Sequence, residues 1–203
     1  MPIVTNQNKF KALNKNKDFT LISRDCVGGV LYHQLGLKFL SPTINLFFSP
    51  IDFNYFCLHL KDYLDSELVE LNDKEVSYPI GLLKPQNLKP VRVDFMHYES
   101  FKKAKDKWNE RKQRINFDNL FVISTFCYPK EIDTLSNELI NNWNKIKYKK
   151  VMIVDKPYGF DNEFVIAKPK NVDEYAWLLS PINKSNEWRK VFNKFNFIKF
   201  INK

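Results

Sequence analysis

The sequence is poor in the residues and patterns on which several common functional sites depend. Only 5 of the 203 residues are glycine, and no GxGxxG or GxxxxGK[ST] pattern occurs, so a glycine-rich phosphate loop is not indicated. The 3 cysteines are far apart with no CxxC pair, which argues against a zinc site or a disulfide framework and favours a reducing, cytoplasmic setting. No apolar run approaches the roughly 18 residues of a transmembrane helix.

Motifs of several enzyme classes are also missing. There is no GxSxG elbow, no HExxH and no DxD, the metal-and-phosphate motif of many nucleotide-sugar enzymes. A diphosphate would therefore have to be held by arginine, lysine and backbone N–H groups. We expect no metal ion and no bound cofactor.

The composition that remains is that of a basic globular protein. Hydrophobic residues make up 44% and aromatic residues 15% of the chain, enough for a core. Lys and Arg number 32 against 23 Asp and Glu, a net charge of +9 that favours anionic partners. No helix-turn-helix, zinc-finger or RNP-type signature supports nucleic acid as one of them.

Apolar strands alternate with amphipathic helices along the chain. This order predicts an α/β fold with a Rossmann-like, mainly parallel sheet flanked by helices. Strands are predicted at 19–25, 41–50, 76–83, 91–98, 120–126, 149–156 and 163–168, and helices at 26–37, 51–68, 99–115 and 129–143. We assign 1–18 to a basic arm, 19–170 to the α/β domain and 171–203 to a basic, amphipathic helical segment.

The C-terminal segment interleaves basic and aromatic residues. Trp188, Phe192 and Phe195 lie at i, i+4 and i+7, so a helix would place them on one face. One interpretation is an interfacial helix on an anionic membrane surface. The other is a helix that packs on the sheet.

The turn after the strand 19–25 is the first candidate site. A helix starting near Cys26 would direct free N–H groups at an anion, Gly28 and Gly29 would allow close backbone approach, and Arg24 would clamp a phosphate. We count Asp25 with these donor-binding residues. The alternative is an ordinary tight turn in which Asp25 caps the helix.

The second candidate site is DFMHYES, residues 94–100, at the end of the predicted strand 91–98. His97 is the preferred general base near neutral pH, and Asp94 and Glu99 are carboxylates beside it. The alternative is a histidine hydrogen-bonded in a strand-to-helix corner.

The helix 99–115 carries the third group of candidates. The sequence from Lys102 to Arg114 contains seven basic and two acidic residues, a pattern typical of a solvated helix face. Arginine is rare in this chain and suits bidentate phosphate contacts, so Arg111 and Arg114 are candidate donor-binding residues. We add Asn119, in the polar turn that follows.

Several segments together are distinctive: SRDCVGGVLYHQLGL (23–37), LSPTINLF (40–47), YPIG (78–81) and FMHYES with the basic helix and RINxDNLFVI after it (95–123). They resemble an uncharacterised bacterial family, a domain of unknown function whose members are often described as exopolysaccharide biosynthesis proteins. The family turn is similar to NNCWGG, whereas Arg24, Asp25 and Val27 stand here in place of two asparagines and the tryptophan.

The resemblance implies a Rossmann-like fold and a role in synthesis of a capsule, exopolysaccharide or lipopolysaccharide. A further likeness is to galactofuranosyltransferase domains of glycan polymerases. The leading expectation is a metal-independent glycosyltransferase that moves a sugar from a nucleotide-sugar donor to a glycan or lipid-linked acceptor. The alternatives are an acyltransferase with a coenzyme A-type donor, which needs either an activated nucleophile or a base-activated acceptor hydroxyl, and a non-catalytic glycan-binding subunit. For Cys26 there are two interpretations: a nucleophile whose pKa the helix start lowers, or a buried structural cysteine.

Overall fold

The computed structural model describes residues 11–126, 129–166 and 195–202, and within them the predicted α/β fold with its parallel sheet is confirmed. The strands are β1 Thr20–Ser23, β2 Glu67–Leu71, β3 Ile80–Lys84, β4 Val91–Asp94, β5 Leu120–Phe126, β6 Lys149–Val154 and β7 Glu163–Val165. The helices are α1 Val27–Leu35, α2 Pro50–Leu58, α3 Leu60–Asp65, α4 Phe101–Lys112, α5 Pro129–Ile132, α6 Asn137–Lys145 and α7 Phe197–Ile201. No helix among these residues is both long and apolar enough to cross a bilayer.

Four parallel strands form the central sheet, in the order β1-β5-β6-β7. Every residue of β5 is buried, because both faces of this sheet are covered. Alternate residues therefore serve two separate apolar clusters. Val122 belongs to one cluster, and its neighbour Ile123 belongs to the other.

Helices α1 and α7 cover one face of the central sheet. Leu31 of α1 is fully buried there, as are Phe197 and Ile201 of α7. Packing on the sheet is thus the correct interpretation for Phe197–Ile201. Trp188 and Phe192 lie outside the described residues.

The other face is covered by α2, α4, α6 and a second, antiparallel sheet of order β2-β3-β4. Phe53, Trp108 and Trp143 contribute large, buried side chains from the three helices. This cluster holds most of the buried aromatic residues.

The predicted strand 41–50 is wrong, since the segment forms only one isolated bridge, between Phe47 and Asp94. Prolines at both ends and a left-handed residue, Asn45 with φ 62°, prevent a continuous ladder. The bridge still has a large effect on the fold. Phe48 N donates to Arg24 O at 3.1 Å, and Phe47 exchanges two backbone bonds with Asp94, so this strip joins the ends of β1 and β4.

Two predicted helices are each divided in two. The pattern 51–68 breaks at His59, where φ is −118° and ψ is 39°, and its last residues begin β2, which the sequence did not predict. The pattern 129–143 breaks because Ser136 caps a new helix, its Oγ accepting from Leu139 N at 3.1 Å. The predicted strand 91–98 ends at Asp94.

Candidate functional site

Cys26 and His97 lie in contact at the carboxyl end of β1. His97 Nε2 is 3.3 Å from Cys26 Sγ, the His97 side chain is exposed, and Cys26 is partly exposed. A thiol beside an imidazole at a helix start is a nucleophile-and-base arrangement. Sequence reasoning considered the two residues in separate hypotheses and did not pair them.

The turn that presents Cys26 is held by its own side chains. Asp25 Oδ1 accepts from Val27 N at 3.0 Å, and Ser23 Oγ accepts from Gly28 N at 3.1 Å while donating to Asp25 O at 2.7 Å. The tight turn given above as the alternative is therefore present, although the N-cap residue is Cys26 rather than Asp25 and its side chain makes no capping bond. Two of the N–H groups expected to bind a diphosphate are already used inside the protein.

The two glycines of this turn have different environments. A Cβ on Gly28 would stand 2.7 Å from Ser23 Cβ, so glycine lets α1 approach β1 closely. A Cβ on Gly29 would meet only the ends of the Ile44 and Asn45 side chains, at 3.4 Å or more. Gly28 is thus explained by packing, whereas Gly29, which is also buried, has room for a Cβ at ordinary contact distance beneath Ile44 and Asn45.

Arg24 is fully buried and faces the interior rather than the turn surface. Its Nη1 is 2.5 Å from Glu131 Oε1, and its Nη2 donates to Thr125 Oγ1 at 2.7 Å. Thr125 in turn donates to Asp25 Oδ2 at 2.8 Å. A phosphate clamp at Arg24 would require this network to open, so that role stays a prediction. Thr125 lies at the polar end of the predicted strand 120–126, a strand end that a parallel sheet could bring near Arg24, whereas nothing in the sequence signalled Glu131.

The environment of Cys26 disfavours a free thiolate. Burial, with the neighbouring Asp25 carboxylate adding to it, raises the pKa of Cys26 to about 11. The thiol is therefore protonated at neutral pH. Nucleophilic use of its sulfur requires a base that removes the proton during attack, and His97 Nε2 is in position to do so.

A tight corner and a buried arginine hold His97 in place. Tyr98 N donates to Phe95 O at 3.0 Å, Tyr98 Oη donates to Ile44 O at 3.0 Å, and Arg111 Nη1 donates to Tyr98 Oη at 2.7 Å. Arg111, predicted to bind phosphate, is only 9% exposed and supports this corner. Within residues 11–126, 129–166 and 195–202, His97 Nδ1 has no hydrogen-bond partner, so the pair has no orienting carboxylate there.

The two carboxylates proposed beside His97 have other partners. Asp94 Oδ1 accepts from Arg92 Nε at 2.9 Å. Glu99 is exposed and pairs with Lys103, whose hydrogen bond and charge lower the pKa of Glu99 and make it a weak base. Neither carboxylate bonds to Cys26 or His97 in the described part of the chain.

Arg114 and Asn119 lie away from this pair. Arg114 bonds to Glu110 and to Phe39 O, the latter at 3.3 Å. Asn119 precedes β5, at the amino edge of the parallel sheet, and donates to Asn16 Oδ1 at 2.8 Å. Cys26 lies at the opposite, carboxyl edge, so the structure does not bring Asn119 into one site with it.

Comparisons with known proteins place the chain in a family. The profile of the domain of unknown function DUF1919 matches residues 3–202. The chain belongs to the DUF1919 family. An uncharacterised protein of Haemophilus influenzae is 30% identical to this DUF1919 protein over 191 residues, which cover 92% of this chain and 85% of that protein. Neither similarity carries an activity with it.

Proposed function

We propose that this DUF1919 protein is a cysteine-dependent acyltransferase, with Cys26 as nucleophile and His97 as its general base. The observation that carries the proposal is the 3.3 Å contact between Cys26 Sγ and His97 Nε2. The pair stands at the carboxyl edge of a parallel sheet, where ligands of open α/β sheets bind. Its start-of-helix position also favours negative charge that develops during attack.

The reaction divides into two transfers. As Cys26 Sγ bonds to the acyl carbon, its proton moves to His97 Nε2, and the leaving group departs with that proton as its bond to carbon breaks. The acyl group is then held as a thioester. An acceptor hydroxyl gives its proton to His97, bonds to the acyl carbon and releases the Cys26 sulfur, which regains the proton.

Charge and context support the class of substrates. The net charge of +9 and the basic outer face of α4 favour an anionic donor such as an acyl-coenzyme A thioester. The resemblance to exopolysaccharide biosynthesis proteins suggests a glycan or lipid-linked hydroxyl as acceptor. We propose that the enzyme works in the cytoplasm at the inner face of the membrane, where its net charge of +9 would favour contact with anionic lipid.

A second candidate is the metal-independent glycosyltransferase, including transfer of galactofuranose. The exposed imidazole of His97 at the sheet's carboxyl edge favours it, because such a group can take a proton from an acceptor hydroxyl. In this case Cys26 only orients His97. The donor would be a nucleotide sugar held by basic side chains.

The test is a search for an acyl group on Cys26. The protein is incubated with acetyl- and longer acyl-coenzyme A, and its intact mass and modified peptide are measured. We expect one acyl group on Cys26 in the wild type and in Cys57→Ala, whose deleted thiol is buried, none in Cys26→Ala, and much slower labelling in His97→Gln.

The same variants separate the alternatives. Nucleotide-sugar turnover that survives in Cys26→Ala and is lost in His97→Gln would favour the glycosyltransferase. A protein that is not acylated and transfers no sugar, but binds glycan saturably, would favour the non-catalytic subunit. That result would overturn both enzymatic proposals.

A further inference from the structure

We propose that the side-chain amide of Asn45 binds the oxyanion that forms on the substrate carbonyl when Cys26 attacks it. This inference rests on the proposed acyl transfer and names a further catalytic group for it. As the sulfur–carbon bond forms, the carbonyl π electrons move onto oxygen, and that charge needs a hydrogen-bond donor before the leaving group departs.

Two of the usual backbone donors at a helix start are already used inside the protein. Val27 N donates to Asp25 Oδ1 and Gly28 N donates to Ser23 Oγ, at 3.0 Å and 3.1 Å. Both bonds lie inside the turn and are needed to hold Cys26. In the described part of the chain the backbone N–H groups of Cys26 and Gly29 make no hydrogen bond, and a side chain above the first turn of α1 can supply a further donor beside them.

Asn45 lies above that turn. Gly29 follows Cys26 by three residues, so the two share one side of the helix start. Asn45 Oδ1 is 3.7 Å from the position that a Cβ on Gly29 would occupy. A half-turn of the amide about χ2 exchanges its oxygen and nitrogen and presents two N–H donors to the same space.

Asn45 is exposed, and its amide makes no hydrogen bond with any residue that the structure describes. Its backbone nevertheless adopts the left-handed region, with φ 62°, which few residues other than glycine and asparagine tolerate. Tyr98 Oη binds the carbonyl of the preceding residue, Ile44, at 3.0 Å. The corner that positions His97 thus also fixes the backbone next to Asn45.

Two reactions of Cys26 test this role, because only one passes through an oxyanion. p-Nitrophenyl acetate acylates a thiol through a tetrahedral intermediate, whereas iodoacetamide alkylates it by direct displacement. The test variant is Asn45→Gly, which removes the amide and keeps access to positive φ. Asn45→Asp keeps the shape and the backbone preference but loses the donor.

We expect Asn45→Gly to acylate Cys26 about 100-fold more slowly than the wild type, the loss typical of removing one oxyanion donor. Asn45→Asp should be at least as slow, and alkylation of Cys26 should be unchanged in Asn45→Gly, which introduces no charge beside the thiol. Equal losses in both reactions would mean that Asn45 only shapes the turn, and unchanged acylation would mean that it binds no oxyanion. A wild-type protein that is alkylated but never acylated at Cys26 would instead reject the proposed function itself.

Discussion

At the residue scale, opposing influences act on Cys26. The start of α1 favours a thiolate, but burial and the Asp25 carboxylate outweigh it and raise the pKa of Cys26 to about 11. Activation must then come from His97 during the reaction rather than from a preformed ion pair. Asp25 is held in place by two hydrogen bonds: its Oδ1 accepts from Val27 N at 3.0 Å and its Oδ2 from Thr125 Oγ1 at 2.8 Å.

Replacing Asp25 tests this balance. Asp25→Asn retains an oxygen that can accept from Val27 N and removes the negative charge, so the pKa of Cys26 should fall and more thiolate should be present at pH 8. We expect iodoacetamide to alkylate Cys26 several-fold faster at pH 8 in this variant, measured by peptide mass mapping. The difference in alkylation rate between the variant and the wild type should vanish near pH 11, where the wild-type thiol is also ionised. Slower alkylation of the variant at pH 8 would contradict the claim that the Asp25 carboxylate raises the pKa of Cys26.

The site was only partly predictable from sequence, because its contacts span long separations. The sequence placed Cys26 and His97 after apolar strands, but they are 71 residues apart and meet through the Phe47–Asp94 bridge. Arg24 looked available to a ligand because its partner Glu131 is 107 residues away. Local patterns carry no information about either pairing.

At the element scale, the packing of α1 on β1 determines where Cys26 stands. This contact depends on the absence of a side chain at Gly28, since a Cβ there would be 2.7 Å from Ser23 Cβ. Gly29 is less constrained, with its nearest neighbour at 3.4 Å. The adjacent glycines provide a matched pair of substitutions.

Gly28→Ala should force α1 away from β1 and destabilise the fold by about 1–3 kcal/mol, the usual cost of overpacking. Gly29→Ala should be neutral or slightly stabilising, because alanine favours a helix over glycine by up to about 1 kcal/mol. Urea unfolding measures both. Equal losses in the two variants would show that the α1–β1 contact is looser than described.

A buried ion pair connects α5 to the end of β1. Because Arg24 is fully buried, Glu131→Gln should leave its charge poorly compensated and cost about 3–5 kcal/mol of unfolding free energy. Arg24→Met combined with Glu131→Gln should recover much of that loss. Additive losses in a double-mutant cycle would mean that the two side chains do not act as a pair.

The ends of helices and strands depend on caps and turns that the periodicity of apolar residues does not reveal. The strand 120–126 was predicted at its observed bounds because seven apolar or small residues in succession fit a strand buried on both faces. The helical pattern 129–143 was too long, because Ser136 begins a new helix with its own cap. Strand β2 was missed, since its residues continue the pattern of the preceding helix.

At the scale of the whole molecule, the core contains ionisable groups that folding keeps neutral. Complete burial raises the pKa of Cys57, and burial likewise raises the pKa of Tyr32 and of Tyr63. These groups lose protons in the unfolded chain at lower pH than in the folded protein. Folding stability should therefore fall as pH rises above about 9, where unfolded thiols and then phenols ionise.

The urea midpoint should thus be lower at pH 10 than at pH 7.5. Cys57→Ala should be less stable than the wild type at pH 7.5, because it leaves a cavity. Its urea midpoint should nevertheless fall less between pH 7.5 and pH 10, because the ionising thiol has been removed. A midpoint that stays constant to pH 10 would contradict the burial of these groups. The shape of the pH dependence, rather than stability at one pH, is the informative quantity.

The account as a whole depends on whether His97 activates Cys26. The direct measurement is the rate of Cys26 acylation by p-nitrophenyl acetate from pH 6 to 11, in the wild type and in His97→Gln. We predict a wild-type rate at pH 7 about 100-fold or more above that of the variant, the usual contribution of a positioned base, with the two curves converging toward the thiol pKa of about 11. Superimposable curves at every pH would contradict the nucleophile-and-base pair.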